Sequence, residues 1–178
     1  MLKLLKELES NKVKLYEVKN SYKDLLSEFE YEYFVTLTFK YTVSEKSAYE
    51  YLEFFLHLLN QKVIGKGYKK KNPLEGFVVL EKQWDGNPHF HLIVNDNDNE
   101  SIKEEHKDTV AFSRLVDSCC TRVKSKSVGS YSVMQRSGVN VQTVDEADVI
   151  DYEIKTLGPN ARNTDSLSPF KGSIVYKT

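Results

Sequence analysis

Two histidines, His89 and His91, stand one residue apart in the run GNPHFHLIV, and a carboxylate, Glu81, precedes the first by eight positions. In a strand, residues two apart share a face, so both imidazoles project together while Phe90 points the opposite way. Two adjacent imidazoles can chelate a divalent ion, although such a pair alone is a weak signal. Glu81 strengthens it. Asp85-Gly86 is a hairpin signal, and a hairpin there lays the strand of Glu81 beside that of the histidines. One carboxylate with two imidazoles leaves coordination positions open, which suits Mn²⁺ or Mg²⁺ acting as a Lewis acid. A closed zinc site would want four protein ligands, usually with sulfur. No glutamate follows the pair at the spacing a cupin uses, and no second histidine motif of the paired-HxT phosphoesterases is present. His57, in an apolar helix, and His106, in an acidic loop, read as bystanders.

A second group capable of chemistry lies in DYEIKTL, where Tyr152 and Lys155 are three residues apart and share a face of a predicted helix. A phenol is a poor nucleophile at its usual pKa of about 10. Beside a metal-polarised phosphorus and a nearby ammonium it becomes useful, and attack leaves a covalent phosphotyrosine that conserves the phosphodiester bond for rejoining. With 11 tyrosines in the chain, a Tyr-x-x-Lys pair is unspecific by itself.

The elements that must carry these groups follow from periodicity. Residues 1 to 30 have helical spacing, and YFVTLTFK, from Tyr33, alternates as a strand. Ser44 caps a helix with one apolar face that ends before Gly65 and Gly67. GFVVLEKQ and HFHLIV are the two hairpin strands. TVAFSRLVDSCCTRVK reads as a helix, SKSVGSYSVMQRSG as a loop, VNVQTV as a short strand and DEADVIDYEIKTL as a helix closed by Gly158-Pro159. The tail reads as loose, with one last strand at GSIVYK. The order strand, helix, strand, strand, helix, strand predicts an α+β domain: a ferredoxin-like antiparallel sheet of about five strands with helices packed on it. The expected organisation is a helical extension over 1–32, the main domain over 33–158 and a tail over 159–178 packing on that domain.

Composition narrows the setting. A formal net charge of −1 argues against a broad polyanion-binding surface, yet five lysines and no acid fall between Lys62 and Lys71. Such a basic loop can serve a nucleic acid even when the whole chain is neutral; a merely solvated loop is the equal alternative. Tyr68 with Lys69, Lys70 and Lys71, and Arg136 farther on, are the residues suited to stacking and phosphate contact along a single strand. No apolar run is long enough to span a bilayer. The N-terminus has no signal-peptide pattern, and the adjacent Cys119 and Cys120 suit neither a disulfide nor zinc, so a reduced, cytoplasmic setting is expected.

Taken in order, FVTLTF, then Glu81 with HFH, then YEIK resemble the three motifs of the HUH endonucleases, and within them the Rep branch of rolling-circle replication initiators of plasmids, phages and small viruses. The resemblance spans roughly residues 33 to 158. It implies an HUH nuclease domain in which His89, His91 and Glu81 bind Mn²⁺ or Mg²⁺. It further implies that Tyr152 cuts single-stranded DNA and stays joined to the 5′ phosphate, and that Lys155 assists. Thr36 and Thr38 match the first motif, beside the DNA. Its partners would be single-stranded DNA or an origin hairpin and a host helicase, in the cytoplasm of a bacterial cell, with the protein a monomer or weak dimer. Two departures stand out: position 149 is Val and 156 is Thr, so one tyrosine serves where some initiators use two, and no helicase P-loop is present. A transposase or a relaxase-like mobilisation protein of the same superfamily would share the chemistry. From another class, a non-catalytic ferredoxin-like nucleic-acid binder would share the sheet alone.

Overall fold

The computed structural model describes residues 20, 21, 23, 24, 26, 31–83, 86–95, 108–125, 131–144 and 166–175. The predicted catalytic helix, with Tyr152 and Lys155, lies outside them, as does most of the N-terminal extension. The described elements are β1 (Tyr33–Thr38), α1 (Glu45–Val63), β2 (Glu75–Lys82), β3 (Pro88–Asn95), α2 (Thr109–Cys120), β4 (Asn140–Thr143), β5 (Ser166–Lys171) and β6 (Ile174–Val175). The six strands form one sheet in the order β4-β1-β3-β2-β5-β6, with every neighbouring pair antiparallel. The first four strands and two helices follow the βαββαβ arrangement that the sequence predicts.

The helix side of the sheet holds the main core. Val35 and Leu37 of β1, Val78 and Leu80 of β2, and Phe90 and Leu92 of β3 meet Tyr49, Leu52, Phe55, Leu56 and Leu59 of α1. The helix positions recur every three or four residues and the strand positions every two, so both patterns bury one face. Helix α1 begins where its cap requires: the Ser44 hydroxyl accepts a hydrogen bond from the Ser47 N–H at 3.2 Å. Near its end the buried Asn60 donates to Leu56 O and Gly172 O and accepts from the Leu74 N–H. One amide thereby ties α1 to the start of β2 and to the β5–β6 turn. On α2, burial pushes the Cys119 thiol up to about 11 and the Cys120 thiol still higher. Both are free and buried, and act as small apolar core residues.

The tail departs from expectation. Its main strand is β5, SLSPFK, and not the predicted GSIVYK, of which only Ile174 and Val175 form a strand. β5 lies beside β2 with Phe77 opposite Pro169. β6 pairs only with Phe170 and Lys171, so Pro169 sits beyond its reach, near a sheet edge where a residue without N–H is tolerated.

Candidate metal centre

β3 runs down the middle of the four-strand core, with β1 on one side and β2 on the other. The register sets His89 opposite both Glu81 and Thr38, and His91 opposite Val79 and Thr36. Phe90 points into the core against Tyr49 and Phe39, which fixes the parity and turns both imidazoles to the far face. The β2–β3 loop is held by two hydrogen bonds, from Gln83 N–H to Asn87 O and from Gly86 N–H to Gln83 O, each 2.8 Å, with Gly86 at φ 82°. The Asn87 side chain accepts from the Val43 N–H and donates to Tyr41 O. This clips the hairpin to the segment that leads into α1.

Glu81, His89 and His91 converge. Glu81 Oε2 lies 3.1 Å from His89 Nε2 and 3.0 Å from His91 Nε2, and the two Nε2 atoms are 2.7 Å apart. An ion bonded at about 2.1 Å to three atoms at right angles leaves them about 3.0 Å apart, whereas tetrahedral angles spread them to about 3.4 Å. The triangle therefore fits one face of an octahedron, with the remaining positions open to water or a phosphate oxygen. One carboxylate and two imidazoles form a donor set for a divalent ion.

The opposite ring nitrogens are held as well. Thr36 Oγ1 lies 3.1 Å from His91 Nδ1, and the Gln83 side-chain amide 3.1 Å from His89 Nδ1. A ligating Nε2 puts the proton on Nδ1, where the Thr36 hydroxyl can accept it. The Gln83 amide, turned so that its oxygen faces the ring, can do the same for His89. Phe34 stacks on His91 with centroids 5.3 Å apart and planes within 8°. Burial lowers the pKa of His91 to about 4, the neighbouring His89 lowers it further, and Glu81 opposes both effects; His91 is only 3 % exposed. His89 is also lowered by burial, against the pull of Glu81. Both rings are thus neutral near pH 7, the state that binds metal.

A family model described as a replication-associated protein, of the ORF2 type, matches residues 32–155, a span that opens at β1 and takes in all three ligands. The chain belongs to that family. Neither the curated proteins nor the solved structures compared with it gave a match. In this replication-associated protein, no described helix is long and apolar enough to cross a membrane.

The remaining residues singled out in the sequence are dispersed. Thr36 and Thr38 do flank the histidines, but Thr36 bonds His91 and Thr38 donates to Gly138 O, so both hydroxyls act within the protein. Tyr68 is 2 % exposed in the helix-side core, where its hydroxyl donates to Ser173 Oγ and lies 2.9 Å from His57 Nδ1. That burial removes its ring as a stacking platform and gives His57 a structural partner. Lys69, Lys70 and Lys71 are exposed, but they follow the far end of α1, whose 19 residues span about 28 Å from the metal end. Arg136 lies near the metal end of β1, and its guanidinium is forked onto Asp117 of α2, with Nε 2.8 Å from Oδ1. Gln83 and Phe34 were not anticipated. Gln83 stands two residues after Glu81, so strand parity could have pointed to it, whereas the Phe34 stack depends on cross-strand register.

Proposed function

We propose that this protein is a metal-dependent, site-specific single-stranded DNA endonuclease and strand transferase of the HUH type that initiates rolling-circle replication. The observation that carries this reading is the Glu81–His89–His91 triangle on the central strand of a replication-associated protein. A bound Mn²⁺ or Mg²⁺ would offset charge on a non-bridging oxygen of the scissile phosphate. Glu81, His89 and His91 would fix the position of that phosphate at the open face of the site, with Thr36 and Gln83 holding the rings. Tyr152, outside the described residues, is the proposed nucleophile. Its oxygen bonds to phosphorus as the bond from phosphorus to the 3′ oxygen breaks. The phenolic proton is released, the departing 3′ oxygen takes one up, and a 5′-phosphotyrosine remains. Lys155 is proposed to stabilise the phenolate. Rejoining is the same exchange in reverse, driven by an incoming 3′ hydroxyl.

Single-stranded DNA or an origin hairpin is the proposed substrate, with a host helicase separating strands, in the cytoplasm of a bacterial cell. The test is a covalent adduct. Incubation with origin-like single strands and Mn²⁺ should give a protein–DNA band resistant to denaturant, absent with EDTA and absent in Tyr152→Phe. Adduct formation undiminished in Tyr152→Phe would refute the assigned nucleophile. Binding without any cleavage would favour a non-catalytic nucleic-acid module.

A further inference from the structure

The face of the sheet that carries the histidines has a second opening at its opposite end. A cavity of about 200 Å³ is lined there by Tyr31, Phe77, Pro169, Asn95, Glu75 and Lys171, with Gly76 at its floor. Glu75 and Glu81 are six residues apart on β2, which sets this cavity about 20 Å from the metal site. Phe34, Val79 and Ile93 lie between the two and are buried, so the sites are separate mouths on one side of the molecule. The volume falls below the range of about 300–1,000 Å³ that takes drug-sized ligands, and suits a single ring system.

The lining has both the apolar and the polar parts that a flat heterocycle needs. The Tyr31 and Phe77 rings meet edge-on with centroids 6.4 Å apart, and Pro169 lies across from Phe77 on β5. Gly76 leaves the floor open: at φ 157° a Cβ there would lie 1.9 Å from Ile93 O, so no side chain can enter. Asn95 is 8 % exposed, and its side-chain amide has no hydrogen-bond partner among the described residues. A buried amide lining a cavity without a partner is costly unless a ligand supplies one. At the rim, Lys171 Nζ lies 3.0 Å from Glu75 Oε2 and is half exposed. The lysines 69–71 are on the loop leading into β2 at this same end of the sheet, and Gly172 N–H bonds Leu74 O across the junction.

We propose that this cavity is a base-reading subsite: it takes one unstacked nucleobase of the DNA strand whose phosphate is held at Glu81, His89 and His91. The inference rests on the single-strand DNA reading above and deepens it. Tyr31, Phe77 and Pro169 enclose the ring, the Asn95 amide offers one donor and one acceptor to its edge, and the Glu75 carboxylate offers an acceptor. Adenine, cytosine and guanine carry an exocyclic amine that can donate to Glu75, and thymine carries none. Lys171 and the lysines beyond it meet the phosphates on either side. The subsite therefore selects an amine-bearing base over thymine at one position away from the cut. This also gives the basic loop a role that its distance from the metal centre denies it there.

The test is a selection of single strands from a fully randomised 20-nucleotide DNA library, carried out with the full chain and Mn²⁺, followed by sequencing. The wild type should deplete thymine at one position on the order of tenfold, within the range a good two-bond base contact gives. Asn95→Leu should lose that depletion while still binding Mn²⁺ with wild-type affinity, which shows that the variant is folded. Glu75→Gln, at the partly exposed start of β2, should weaken the same depletion, and it carries the test if Asn95→Leu does not fold. Equal tolerance of thymine by the wild type and both variants would overturn the subsite. The selection reads binding alone, so the two readings fail separately. Strand binding with the thymine preference but no Tyr152 adduct sinks the nuclease and leaves the subsite standing. Adducts formed with no Asn95-dependent preference sink only the subsite. Absence of single-strand binding overturns both.

Discussion

Replacing Thr36 with Val should weaken metal binding about tenfold while leaving the metal-free fold nearly unchanged. The asymmetry comes from the two ring nitrogens of His91. Without metal, the ring can carry its proton on Nε2, which lies 3.0 Å from Glu81 Oε2, so loss of the Thr36 hydroxyl leaves no orphan donor. With metal on Nε2 the proton must sit on Nδ1, which faces Thr36 Oγ1 at 3.1 Å. A valine in place of Thr36 would offer nothing to that N–H in a site where His91 is 3 % exposed, and an unsatisfied buried donor costs about 1–3 kcal/mol. That range is about 5- to 150-fold in affinity. The parallel Phe34 ring still limits rotation of His91, which places the effect towards the lower end. Titration calorimetry with Mn²⁺ measures it directly, and urea unfolding in EDTA should show a change below about 1 kcal/mol, valine being a good strand former. Thr36→Ser, which restores the hydroxyl, should recover most of the affinity. The reasoning fails if Thr36→Val binds Mn²⁺ as tightly as the wild type while His91→Ala does not bind it.

Two further outcomes are expected. His91 has a folded pKa of about 4 against 6.5 when unfolded, so the unfolded chain takes up the proton first. Metal-free stability is then full above about pH 6.5 and declines as pH falls towards 4, by roughly 3 kcal/mol for this group. Urea midpoints against pH in EDTA should show the slope, saturating Mn²⁺ should move it to lower pH, and an unchanged slope in His91→Gln would exclude His91 as its source. Phe90→Ala should cost about 3–5 kcal/mol in urea unfolding, since Phe90 is fully buried against Tyr49 and Phe39. A loss below about 1 kcal/mol would mean that this ring is not the anchor of β3.

Much of this protein was legible from local pattern. Alternation marked β1, β2 and β3, and helical spacing behind Ser44 marked α1, because each element buries one face and repeats with its own period. The same parity put His89 and His91 on one face with Phe90 behind them, and the hairpin signal brought Glu81 to them. Tyr68 misled for a physical reason: a run of lysines around an aromatic looks solvated, yet the ring turns inward while its neighbours remain outside. β5 was missed because SLSPFK has a proline in place of alternation, and it is held by Phe77 and its β2 neighbours, far away in sequence.

Local sequence was enough to specify the elements, the parity of the histidines and the chemistry of the donor set, since those depend on residues within a few positions of one another. Which residues face one another across strands came from the assembled sheet alone. Register set Thr36 against His91, and sheet order placed β3 between β1 and β2. Long-range pairing built a cavity from Tyr31, Phe77, Asn95, Pro169 and Lys171. Those contacts are selected by the packing of the whole sheet, whose long-range pairings no local window of sequence contains.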